Sequence, residues 1–153
     1  MKLIAILITS LVLALPAARA HEAKLGAMTI EHPYAPSTPA AARTGIVYTT
    51  IVNRGEADRI VAARTSAAEK VELHTTIRDG DTMRMRAVEA IPVAMGGTLA
   101  LQPGQRFHLM LVNLVKPLRE GDSFTLSVTF EKAGTIDLTI PVERLKTGGN
   151  HHP

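Results

Sequence analysis

Apolar and polar residues alternate one by one along much of the chain. In "VELH", Val71 and Leu73 fall on one side of an extended strand, and Glu72 and His74 on the other. In "TMRMR", Met83 and Met85 alternate with Arg84 and Arg86. In "FHLML", Phe107, Leu109 and Leu111 share one face, and His108 and Met110 the other. The segments "TGIVYTTIVN", "DRIVAART", "GTLAL", "SFTLSVTF" and "TIDLTIPVERL" add β-branched and aromatic residues suited to strands. Turn signals separate them: Asn53-Arg54-Gly55, the hairpin dipeptide Asp79-Gly80, Pro103-Gly104 and the "REGD" of residues 119–122. "TSAAEK", residues 65–70, adds a helical turn at most. Seven to eight short strands with turns about every ten residues predict an all-β sandwich or barrel.

The same period of two sorts the residues that can carry chemistry. The hairpin at Asp79-Gly80 brings the strand of His74 beside the strand of Met85. With Arg84 and Arg86 turned to water, Met83 and Met85 point inward or toward the end of the sheet. His108 and Met110 share a face of a third strand whose other face supplies core leucines. Three segments therefore offer two histidines and two or three methionines. Met28 is expected in a first strand and Met95 in a loop.

The first twenty residues change the picture of charge and compartment. Lys2 precedes the apolar run Leu3 to Leu15, and Ala18-Arg19-Ala20 has the form of a signal-peptidase site. The run is shorter than the roughly 18–20 residues that span a bilayer. Residues 1–20 are expected to be a cleaved export signal, giving a mature chain that starts at His21 and is not membrane-spanning. Cleavage takes Lys2 and Arg19 and no acid, so the formal charge falls from +3 to +1. Basicity is thus mostly a targeting feature. With two Tyr, three Phe and no Trp, no basic run is interleaved with aromatics, so nucleic acid is not an expected partner.

The chain has no cysteine, so it offers neither disulfides nor thiolate ligands. A soft-metal site would have to use thioether, with imidazole as the other donor. Such donors suit copper(I), whereas thiolates or carboxylates suit zinc or harder cations. A blue-copper electron-transfer centre needs the cysteine that is missing, which favours carrying the metal over cycling it. Methionine also fills ordinary cores, and a histidine in a strand often serves only structure. Composition and spacing leave both readings open.

From Val71 to Leu114 the sequence resembles the PCu(A)C family of periplasmic copper(I) chaperones. The family signature runs His, ten residues, Met, twenty-one residues, His, one residue, Met. His74 and Met85 fit the first interval, and His108-Leu109-Met110 the last. Twenty-two residues separate Met85 from His108, and the extra one lies in the connection "IPVAMGGTLALQPGQRFH". "VELH", "MRMRAVEAI" and "LVNLVKPLREGDSFTLSVTFEKAG" resemble the family around the site. Where the family usually has a Trp near the start of its domain, this chain has "HPYAPSTP". The resemblance implies a cupredoxin-like Greek-key β-sandwich. It implies that His74, Met85, His108 and Met110 bind one copper(I), with Met83 a further candidate. It implies delivery in the periplasm to the CuA centre of cytochrome c oxidase, directly or with a Sco-type thiol protein.

Residues 21–146 are expected to form this domain, as a monomer, followed by a flexible His-containing tail at 147–153. His21, which would head the mature chain, and His151 and His152 offer nitrogen donors suited to copper(II). His32 precedes Pro33 and is expected to be simply solvated. Two other functions compete. One is periplasmic copper sequestration or resistance. The other is a β-sandwich module for adhesion or ligand binding that uses no metal. No Ser-His-Asp order, carboxylate pair or phosphate loop stands out, so the expectation is not an enzyme.

Overall fold

In "TGIVYTTIVN", Gly45, Val47, Thr49, Ile51 and Asn53 are all buried, and the residues between them are not. This strict alternation is a sheet with one face on a core. The computed structural model describes residues 22–144, and it contains eleven strands and, among the described residues, no helix. In chain order these are β1 (Glu22–Leu25), β2 (Met28–Pro36), β3 (Thr44–Asn53), β4 (Asp58–Thr65), β5 (Ala68–Asp79), β6 (Thr82–Ala87), β7 (Ile91–Val93), β8 (Thr98–Leu101), β9 (Phe107–Leu114), β10 (Ser123–Phe130) and β11 (Gly134–Glu143).

The strands hydrogen-bond in the order β6-β5-β9-β3-β2-β11-β10-β4-β7, with β1 on β2 and β8 on β3. Every pairing is antiparallel except β11 with β2, a short parallel contact at Val142↔Ala35 and Glu143↔Pro36. That contact joins two layers. One is β6-β5-β9-β3-β2, the other β11-β10-β4-β7. Ile30, Val47, Ile51, Leu109 and Leu111 of the first layer and Ile60, Leu126, Val128, Phe130 and Ile140 of the second are almost wholly buried in one core. Fully burying one such side chain stabilises by about 1.5–3 kcal/mol.

The expected all-β sandwich is borne out. The larger strand number comes from the short pieces β1 and β7, of four and three residues, and from β2, the first strand expected around Met28. "TMRMRAVEAI" divides in two: β6 stays on β5, while Ile91 crosses to the other layer and pairs with Ile60. "TSAAEK" makes no helical turn, because Ala68 is buried and already starts β5. The β5–β6 hairpin forms, but its two loop residues are Gly80 and Asp81, since Asp79 pairs with Thr82. Gly80 takes a left-handed φ of 61°, as the first loop residue of a tight primed turn requires. Met28 opens β2 and is buried, while Met95 is an exposed loop residue.

Two polar side chains hold the frame where the ladders break. Asn53 closes the β3–β4 turn, donating to the carbonyls of Glu56 (2.6 Å) and Ala94 (3.1 Å) and accepting from Gly55 N. Buried Thr49 donates to the Glu31 carbonyl at 2.9 Å, beside the bulge where the β2–β3 register shifts. His32 lies in that bulge with a φ of 46°, and its Nε2 sits 3.5 Å from Glu143. Among the described residues no helix is long and apolar enough to cross a membrane.

Candidate functional site

The antiparallel β5–β9 ladder sets Leu73 opposite Leu109 and Val71 opposite Leu111, facing the core. The alternate residues therefore share the outer face. There His74 is opposite His108 and Glu72 is opposite Met110. On the other side of β5, His74 pairs with Ala87, Thr76 with Met85 and Arg78 with Met83. Cross-strand partners share a face, so one outer surface carries both histidines, Met83, Met85 and Met110. Met85 and Met110 lie on opposite sides of the histidine row, each one step of about 6.7 Å along the strands.

Burial falls off steeply across this surface. His108, in the middle of the sheet, is only 5% exposed. His74 and Met110 are partly covered. Met83 and Met85 are 64% and 50% exposed. The expectation that the arginines turn these two methionines inward is not met. Every residue of β6, both arginines included, is exposed, as befits the terminal strand of its layer.

The two imidazoles share an unusual feature. The Nδ1 atoms of His74 and His108 are both buried and have no hydrogen-bond partner. An unpaired buried polar atom costs about 1–3 kcal/mol, and here two of them belong to directly opposed residues. His74 Nε2 lies 2.8 Å from Glu72 Oε2. The other Glu72 oxygen is taken by the Lys70 ammonium. Lys70 first and His74 second hold the Glu72 carboxyl below the usual range, so it is ionised and can only accept. Nε2 of His74 is then the protonated nitrogen, and Nδ1 keeps the lone pair. Burial, and then the neighbouring His74, push the pKa of His108 down, which keeps its ring neutral and able to ligate at neutral pH.

Glu72 is the residue to which sequence reasoning gave no role. Its signal was present in "VELH", where a carboxylate stands two places before a histidine on one strand face. Among the described residues, no group of three or more His, Cys, Asp or Glu side chains is placed to hold a metal. The other soft donors on the face that carries the histidine pair are the thioethers of Met83, Met85 and Met110. Imidazole and thioether together can hold a soft cation of low charge. His21, His151 and His152, with the expected leader and tail, lie outside the described residues.

Comparison with known proteins places these features. The family described as "Putative lipoprotein LpqE-like" matches residues 28–142, which include both histidines and all three methionines of the outer face. A curated protein of Leifsonia xyli subsp. xyli, "Putative lipoprotein Lxx21020", is 32% identical over 85 residues, 55% of this chain and 51% of that protein. The chain thus spans about half the length of the curated relative it matches. Among solved structures, the copper-bound PCuAC domain from PmoF2 superposes with a TM-score of 0.69 at 24% identity, over 82% of this chain and 99% of that one. The solution structure of CuI-DR1885 from Deinococcus radiodurans gives 0.63 at 24% identity, over 87% of each chain. At these identities the likeness establishes a shared fold, the cupredoxin-like β-sandwich.

Proposed function

The chain belongs to the LpqE-like family, and from that premise we propose that it is an exported copper(I) carrier. It would hold one ion through His74, Met85, His108 and Met110. The observation that carries this reading is the pair of opposed histidines whose buried Nδ1 atoms have no partner in the protein. An ion accepting both lone pairs removes two desolvation penalties at once. The thioethers on either side add soft donors, and no cysteine is present to compete. One structural neighbour is copper-bound and another is a CuI form, which supports copper as the cargo. Export is supported by the lipoprotein names of the family and the Leifsonia relative, and by the leader-like residues 1–20.

Delivery to the CuA centre of cytochrome c oxidase, directly or with a Sco-type protein in the periplasm, follows from the resemblance of the His/Met spacing to PCu(A)C chaperones. An ion held beside an exposed edge strand is accessible to such an acceptor. His21, His151 and His152 would form a separate copper(II) collection point. Truncation after Gly148 should then lower copper(II) affinity and leave copper(I) binding intact.

Anaerobic titration with copper(I) against a competing chelator tests the main site. One equivalent should bind to the wild type, and affinity should fall by about 100-fold or more in a His74→Ala, His108→Ala double variant, beyond the range for loss of an outer-shell partner. Full affinity in the double variant would place the ion elsewhere.

A further inference from the structure

Along β5 the outer face reads Lys70, Glu72, His74, three consecutive same-face positions. The contacts run in the same order. Lys70 pairs with one oxygen of Glu72, and the other oxygen accepts from His74 Nε2 at 2.8 Å. Glu72 also sits directly opposite Met110 in the β5–β9 register. It is thus embedded among the donors, with both oxygens already engaged.

We propose that Glu72 is the positioning residue of the site: it holds His74 as the Nε2–H tautomer and fixes the ring so that Nδ1 is the donor to the cargo ion. This rests on the copper(I) reading above. A neutral imidazole has one protonated and one lone-pair nitrogen, and the hydrogen bond made by one selects which donor remains. A carboxylate on the far nitrogen also makes the ligating nitrogen more basic and limits rotation of the ring. Lys70 completes the arrangement. It anchors the carboxylate from the other side and balances its charge, so Glu72 stays aimed at His74. A carboxylate with a free oxygen would instead offer a hard donor and favour a divalent ion.

His108 has no such partner, and the asymmetry is informative. It lies in the interior of the sheet and is only 5% exposed. His74 sits one strand nearer the exposed edge, next to terminal β6, and is less deeply buried than His108.

The tautomer can be read in the metal-free protein by long-range proton–nitrogen correlation spectra of uniformly 15N-labelled samples. Wild type should show His74 protonated at Nε2 and bare at Nδ1. Glu72→Ala should give a tautomer mixture and lower copper(I) affinity by about 10–100-fold. Glu72→Gln retains an oxygen acceptor and should keep the tautomer and recover most of the affinity. A single Nε2–H tautomer and wild-type affinity in Glu72→Ala would overturn the proposal. So would a copper(I)-loaded wild type whose His74 is protonated at Nδ1. If wild type took up no copper(I), the carrier reading would fail, while the metal-free spectra would still decide the role of Glu72.

Discussion

His74 and His108 stand directly opposite each other across the β5–β9 ladder, and each keeps a buried Nδ1 with nothing to bond. Opposed Cβ atoms in such a pair are about 4.5–5.5 Å apart, so both rings can reach one small ion. A histidine kept for structure alone would use its buried nitrogens. These two each leave a buried nitrogen unpaired, at a cost of about 1–3 kcal/mol apiece.

That tension gives the first prediction. His108→Leu replaces a buried, incompletely bonded ring with an apolar side chain of similar size. The metal-free variant should be at least as stable as wild type, with a gain on the order of 1 kcal/mol from the lost unsatisfied atom. Copper(I) binding should collapse. Urea unfolding and chelator competition on the same samples check both halves. A variant destabilised by several kcal/mol would mean that His108 serves the fold.

The second prediction concerns the metal-free protein. The core is contributed by both layers and lies on the side of β5 and β9 away from the site. The protein should therefore be folded without metal, and copper(I) should raise its Tm by mass action on the native state, equivalent to about 2.7 kcal/mol when free ion is 100 times Kd. Circular dichroism with and without copper(I) is the measurement. An unfolded metal-free chain would make the ion a structural staple instead of a cargo.

Much of this arrangement was legible in the sequence because strand periodicity is local. Alternation in "VELH" and "FHLML" fixes which residues share a face, and the Gly80 turn fixes the neighbour of β5. Register is not local. Nothing in "TMRMR" says that the strand carrying it ends a layer, so the exposure of Met83 and Met85 could not be read. The pairing of His74 with His108 links segments more than thirty residues apart and depends on how β9 slides against β5. The Lys70–Glu72–His74 contacts needed side-chain geometry, although their spacing was visible. The crossing of Ile91 to the second layer has no mark in "MRMRAVEAI", the stretch that contains it.

A third prediction tests the frame away from the site. Asp58 accepts backbone N–H bonds from Arg59 (2.7 Å), Lys132 (3.0 Å) and Ala133 (2.9 Å), tying the start of β4 to the β10–β11 turn. Partial burial pushes its pKa up, but the three N–H donors and the Lys132 charge outweigh this and set it below the ordinary value. A lowered folded-state pKa means that the stabilisation is complete above the unfolded Asp value, about 3.9, and is lost as pH falls through the folded value. Asp58→Asn cannot ionise and turns an N–H group toward donors. It should cost about 1–3 kcal/mol at neutral pH, and the gap to wild type should close below about pH 3–4. Thermal melts from about pH 2 to about pH 7 would show parallel curves if Asp58 contributed nothing.

The last prediction separates the two exposed methionines. Met85 is opposite Thr76, one same-face step from the His74 row, whereas Met83 is opposite Arg78, two steps away. Two steps are about 13 Å along the strand, beyond the span of a thioether and an imidazole reaching for a shared ion. Met85→Leu should therefore weaken copper(I) binding by about tenfold or more, at least the loss expected for an outer-shell partner, while Met83→Leu should leave the equilibrium affinity unchanged. Met83 is also the more exposed of the two, at 64%, and stands on the open edge strand where an acceptor would meet the protein. Its loss should instead slow exchange of copper(I) to a chelator or to a metal-free CuA domain, read by stopped-flow at equal loading. Equal losses of affinity in the two variants would mean that β6 shifts along β5 when the ion binds, and that the register of the metal-free protein does not choose the ligand.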